Sequence, residues 1–139
     1  MAYLLPVDEA VLEPLGSVLS SANCIHEFQR YQILRWFLDN RIVTAQVVAF
    51  ARASVKGTVH ERLVRPYALA YLGRSGELQD YETLQARYRD SENWLERLTI
   101  VCAMRGAPEA IRAMFYGRVA GEDPVIDRAL AWAKKNVDK

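Results

Sequence analysis

Helix starts and helix stops recur along almost the whole chain, while no stretch alternates apolar and polar side chains over a strand length. That punctuation dictates an all-α fold. Residues 1–22 read as an acidic leader in which Pro14 and Gly16 restrict helix to short pieces. Asn23 then supplies a cap for a helix that stops near Asn40, with Ile25, Phe28, Tyr31, Leu34 and Leu38 along its apolar side. Thr44 caps a second helix, with Val47, Val48, Ala51 and Val55 facing inward and Gly57 as its stop. Thr58 and Glu61 have capping-box spacing for a third, which runs to about Leu72 and is expected to kink at Pro66.

After the turn Gly73-Arg74-Ser75-Gly76, a fourth helix from Glu77 to Tyr88 places Leu78, Tyr81, Leu84 and Tyr88 on one face. A fifth follows Asp90-Ser91, carries Trp94, Leu95, Leu98, Val101 and Cys102, and stops at Gly106. Pro108 opens a sixth with Ile111, Met114 and Phe115; Asp123-Pro124 is the cap and first residue of a seventh, ended by Lys134-Lys135. Trp36, Trp94 and Trp132 fall on or beside these stripes and are expected in the core. Carboxylate pairs such as Asp80 with Glu82, or Glu92 with Glu96, read as solvated helix faces.

An apolar fraction of 51% and a charged fraction of 25% over 139 residues are globular values, and they exclude a disordered or fibrous chain. No apolar run approaches the roughly 20 residues that cross a bilayer. The opening residues Met1 to Glu9 carry neither the basic start nor the long apolar run of a secretory leader. Cys24 and Cys102 have no second pair, which falls short of a disulfide framework or a four-ligand zinc site. The expectation is a cytoplasmic protein with no membrane partner and no cofactor.

A weak internal repeat organises the helices. Arg30, Arg62, Arg97 and Arg128 each stand early in a helix, at spacings of 32, 35 and 31, and follow Gln29, Glu61, Glu96 and Asp127. Phe37, Leu69 and Met104 lie seven residues after the first three. A helical hairpin cannot bury its apolar face alone, so such units stack into one continuous core. The stretch from Glu61-Arg62 to Ala70-Tyr71-Leu72-Gly73-Arg74-Ser75-Gly76-Glu77 resembles the HEAT-like α-helical repeats. That resemblance implies about seven helices, paired as antiparallel hairpins in a short HEAT-like α-solenoid, with residues 23–139 as a single α-helical repeat domain and residues 1–22 as a leader or capping segment. A compact helical bundle is the architectural alternative.

A narrower resemblance joins two runs, Phe28-Gln29-Arg30-Tyr31-Gln32-Ile33-Leu34-Arg35-Trp36-Phe37 and Phe115-Tyr116-Gly117-Arg118-Val119. Both look like the helical C-terminal region of bacterial reverse transcriptases. It implies an accessory module beside an adjoining polymerase domain, and it carries no activity to this chain. Tyr88-Arg89-Asp90-Ser91 lacks the second aspartate of a polymerase metal site.

Charge is segregated along the chain. Residues 23–74 hold eight basic side chains, Arg30, Arg35, Arg41, Arg52, Lys56, Arg62, Arg65 and Arg74, against three acidic ones, a net +5 in a chain of net +1. Arginine's planar fork suits phosphate, and Tyr31, Trp36, Tyr67 and Tyr71 in the same segment offer rings on which bases can stack. These eight residues are the candidate nucleic-acid-binding set, for an RNA or DNA backbone; a protein partner is the other occupant weighed. The competing reading of the repeated arginines is a ladder of ion pairs between helices, worth at most about 1 kcal/mol each.

No nucleophile motif, phosphate loop or metal-ligand spacing stands out, so a non-catalytic binding module is expected. The alternative is a small metal- or thiol-dependent enzyme using His26, His60 and Cys24, with Glu27 or Glu61 as a carboxylate ligand. It requires those side chains to converge.

Overall fold

The computed structural model describes residues 9–20, 26–56 and 62–137. Among them the protein forms eight α-helices and no strand: α1 (Glu9–Ser20), α2 (Glu27–Asp39), α3 (Ala45–Lys56), α4 (Val64–Leu72), α5 (Leu78–Asp90), α6 (Trp94–Ala103), α7 (Glu109–Val119) and α8 (Pro124–Lys135). A 3-10 turn, Met104–Gly106, follows α6. The chain divides into two compact units, residues 1–71 and 72–139.

In the first unit, the expectation of short helical pieces before residue 22 is overturned. Residues Glu9–Ser20 form one helix that runs through both Pro14 and Gly16. Proline removes one backbone donor, but Pro14 faces solvent while Leu19 is buried and α1 packs on α2 and α3. Gly16 permits the approach: a Cβ there would overlap the side-chain amide of Gln46 on α3. Tertiary packing outweighs the local penalty.

The Asn23 cap lies outside the described residues, and the helix is described from His26, whose N–H donates to Gln29 Oε1 at 3.0 Å. The far end of α2 turns by a paired hydrogen-bond motif: Ile42 N donates to Phe37 O at 3.0 Å and Arg41 N to Leu38 O at 3.1 Å. This motif needs a left-handed residue, and Arg41 supplies it at φ 55°. Thr44 then caps α3 as expected, its Oγ1 accepting from Val47 N at 3.2 Å. Val47, Val48, Ala51 and Val55 are all buried.

The capping box at Thr58 and Glu61 and the stop at Gly57 lie outside the described residues. Residues 62 and 63 are in a turn and α4 begins at Val64, so Pro66 sits in the first helical turn. An amide there has no intrahelical acceptor, which removes the reason for a kink. Tyr71 at the other end of α4 is fully buried and ties the α2–α3 loop: its hydroxyl donates to Ile42 O at 2.8 Å and accepts from Thr44 N at 3.0 Å.

In the second unit, α6 packs on α5 and α8, and α7 on α8. Tyr81, Leu84, Tyr88, Ile100, Val101, Met104, Phe115, Ile126 and Leu130 form the core. The Asp123-Pro124 start agrees with the sequence, while α6 is capped by Asn93, a residue the sequence reading did not single out. Asn93 Oδ1 accepts from Leu95 N and Glu96 N, and Asp123 Oδ1 accepts from Val125 N at 2.7 Å, with Pro124 opening α8. A buried tyrosine again holds loops, since Tyr81 Oη donates to Gly106 O at 3.1 Å and accepts from Gly76 N at 3.2 Å. Gly73 is packed so closely that a Cβ would overlap the Ala103 carbonyl, and Gly76 turns the chain at φ 77°.

Several side chains expected inside are at the surface. Trp94 is 63% exposed and Trp132 46%, and Leu78 and Met114 are exposed as well. Trp94 is the first residue of α6, ahead of the turn at which Ile100, Val101 and Ala103 become the inward line. Trp132 stands beside the buried line Ile126, Leu130 and Ala133 of α8 rather than on it. In the opposite sense, Asp80 is not on a solvated face but buried. It lies in the first turn of α5, where the helix dipole favours a carboxylate.

Candidate nucleic-acid interface

The structure distributes the eight candidate residues over several elements. Arg30 and Arg35 are on α2, Arg52 and Lys56 on α3, and Arg65 on α4; Arg41 lies between α2 and α3 and Arg62 in the turn before α4. Arg74 belongs to the second unit, in the turn after α4. Arg41, Lys56 and Arg62 are exposed, and the other five are partly covered.

Of the four rings offered as stacking surfaces, two are unavailable. Trp36 is 5% exposed and Tyr71 0%, because the inward face of α2 runs through Leu34, Trp36 and Phe37 and Tyr71 serves as the loop tie. The ring that takes their place is one expected in the core. Phe28 is 56% exposed and stacks on Tyr31 three residues later, with centroids 5.8 Å apart and planes 9° from parallel. Tyr31 in turn meets Tyr67 of α4 edge to face at 4.9 Å. The signal for Phe28 was present in its place at the very start of α2, before the helix reaches the core.

Arg35 joins this cluster, one helical turn after Tyr31. Its Nη1 donates to Tyr31 Oη at 3.0 Å, and its Nε is 3.6 Å from Asp39 Oδ2. The guanidinium therefore grips the hydroxyl edge of Tyr31 rather than a ring face. The hydrogen bond between the two tyrosines holds Tyr31 below the usual phenol range, helped by Arg35, and raises Tyr67. A phenol so placed accepts well, and its stacked neighbour presents an apolar face to solvent.

The expected ladder of ion pairs does not account for the repeated arginines of the second unit. Glu96, which precedes Arg97, pairs instead with Arg87 at 2.6 Å, and Asp127, which precedes Arg128, accepts from Gly121 N at 2.8 Å. Arg97 donates its Nε to Ser91 O at 2.8 Å and lies 5.0 Å above the Tyr88 ring. Arg105 covers Trp132 in the same way, at 4.5 Å.

For the metal- or thiol-enzyme alternative, His60 and Cys24 lie outside the described residues. His26 is exposed, and Glu27 Oε1 accepts from Leu63 N at 2.7 Å. Among the described residues no group of three His, Cys, Asp or Glu side chains is placed to hold a metal ion. Burial pushes the Cys102 thiol above its ordinary range, which disfavours the nucleophilic thiolate. Nor, among these residues, is any helix long and apolar enough to cross a membrane. No family model, no curated protein and no solved structure matches the chain.

Proposed function

We propose that this protein is a non-catalytic helical binding module whose first unit engages single-stranded nucleic acid through α2 and α4. The observation that carries the reading is the exposed Phe28 ring stacked on Tyr31, beside Arg35 and within the +5 segment. A planar ring open to solvent takes a base by stacking, and arginines along the same segment take phosphates, with little sequence preference. A strand lying on α2 would place bases on Phe28 and its backbone near Arg35 and Arg65. An accessory role beside the polymerase core of a bacterial reverse transcriptase is the more specific form of the proposal, and it rests on the resemblance of residues 28–37 and 115–119.

The test is fluorescence anisotropy with labelled single-stranded RNA, single-stranded DNA and duplex, at about 50 and about 200 mM salt. Binding to single strands that falls steeply with salt is the expected outcome. Replacing Arg35 and Arg65 by Ala flattens the salt slope by roughly one unit per lost phosphate contact. No binding at either salt would remove the nucleic acid and leave a protein partner as the occupant.

A further inference from the structure

The chain has seven tyrosines, and among the described residues four of them, Tyr71, Tyr81, Tyr88 and Tyr116, are buried. Two more, Tyr31 on α2 and Tyr67 on α4, are half-exposed and touch each other. We propose that this pair is an oxidative modification site, at which a one-electron oxidant of the haem-peroxidase class joins Tyr31 to Tyr67 through a carbon–carbon bond and staples α2 to α4.

The pairing is built into the fold. Glu27 Oε1 accepts from Leu63 N at 2.7 Å across a separation of 36 residues, and Tyr31 and Tyr67 repeat that separation four residues further on. The two segments therefore run in the same direction, tied by a side-chain to backbone hydrogen bond just ahead of the tyrosines. The rings lie edge to face, with centroids 4.9 Å apart and planes 83° from parallel, and their hydroxyls are hydrogen-bonded. That bond brings the ring carbons ortho to the two oxygens close together, and these carbons carry much of the unpaired spin of a phenoxyl radical. Turning one ring toward the plane of the other takes only χ2, a broad torsion in tyrosine, and neither ring is locked in the core.

Tyr31 is the ring oxidised first. Its oxygen accepts from Tyr67 and from Arg35 Nη1, the latter at 3.0 Å, and both contacts favour the phenolate, the form that gives up an electron more easily. Partial burial and the Asp39 carboxylate act the other way and are outweighed. Each tyrosine yields one electron and its phenolic proton. The two radicals form one bond between ortho carbons, and each of those carbons then passes its hydrogen, as a proton, to the oxygen of its own ring. The chain loses two hydrogen atoms, and hydrogen peroxide takes up the two electrons and two protons to become two molecules of water.

The experiment treats the full chain with a haem peroxidase and hydrogen peroxide, in the parent protein and in Tyr31→Phe, Tyr67→Phe and Tyr3→Phe. It follows dityrosine fluorescence, denaturing gels and mass spectrometry of tryptic fragments. At a chain concentration of about 5 µM, two tyrosines held in one fold meet far more often than tyrosines of separate chains. Dityrosine is expected in the monomer band, in a fragment that joins residues 31 and 67 and is lighter by two hydrogen atoms than its parts. Its yield should fall at least about tenfold in Tyr31→Phe and in Tyr67→Phe and stay unchanged in Tyr3→Phe, whose site lies outside the described residues. Phenylalanine keeps each ring and its edge-to-face contact, so neither variant of the pair asks the fold to change. Absence of dityrosine from the monomer would overturn the proposal, as would a yield that survives in Tyr67→Phe or disappears in Tyr3→Phe.

Discussion

The two units use the same materials, arginines and aromatic rings, and arrange them oppositely. In the second, guanidinium groups lie on ring faces, Arg97 on Tyr88 and Arg105 on Trp132, so exposed area of the ring is already occupied by a cation. In the first, Arg35 takes the hydroxyl edge of Tyr31 and the rings stack on one another, leaving Phe28 open. The lesson is that exposure alone does not make an aromatic side chain a stacking platform. Trp132 is 46% exposed and Phe28 56%, yet of these two Trp132 carries a cation on its ring and Phe28 does not.

The units share a device as well, a buried tyrosine whose hydroxyl joins two backbone groups, and the sharpest tests exploit what differs around it. The largest expected effect is in the second unit alone. Gly73→Ala drives a methyl into the Ala103 carbonyl and should destabilise by about 3 kcal/mol in urea denaturation, since backbone cannot move aside as a side-chain end can. Tyr71→Phe leaves the Ile42 carbonyl and the Thr44 amide without their partner, and Tyr81→Phe does the same to Gly106 and Gly76. Each should cost about 2 kcal/mol, and a large inequality would show that the two ties are not equivalent.

Binding separates the units more cleanly than stability does. Phe28→Ala should weaken single-stranded RNA binding by roughly tenfold with an unchanged melting temperature, whereas Trp132→Ala leaves binding intact. Equal losses would break the contrast between open and covered rings. Arg41→Gly is expected to stabilise the first unit by about 1 kcal/mol, because glycine adopts the left-handed turn at φ 55° without strain. The same change removes one cation from the proposed binding segment, so a weaker salt slope should accompany the higher melting temperature.

The smallest effect concerns alkaline pH. Tyr88 is raised from its ordinary 10 to about 12 in the folded protein, so the unfolded chain releases this proton first. Its stabilising share is complete below pH 10 and is lost as the pH rises toward 12. Melting temperatures recorded from pH 8 to 11 should therefore fall less steeply above pH 10 in Tyr88→Phe than in the parent protein.

Helix type and most helix ends were legible in the sequence because they depend on neighbouring residues. Thr44 and Asp123 cap α3 and α8 as expected, and Pro124 opens α8 because its missing amide is harmless there. Inward faces were legible where a helix carries one clean line, as Val47, Val48, Ala51 and Val55 do. They were legible only in part on α2, which is rich in aromatic residues: Trp36 is buried as expected, whereas Phe28, placed on the same inward side by the period, is exposed. The candidate arginines were visible as a charged segment; which rings stand beside them in the open was not.

The sequence by itself determined an all-helical chain, its capping chemistry, and the accumulation of arginine between residues 23 and 74. Those properties arise from hydrogen bonds and charges within a few residues. Tertiary structure alone decided that α1 survives Pro14, that Tyr71 and Tyr81 become loop ties, that Asp80 is buried, and that a guanidinium covers Trp132 while Phe28 stays open. Each of these outcomes turns on a partner distant in sequence, and the energy of such a contact exists only once the helices have packed.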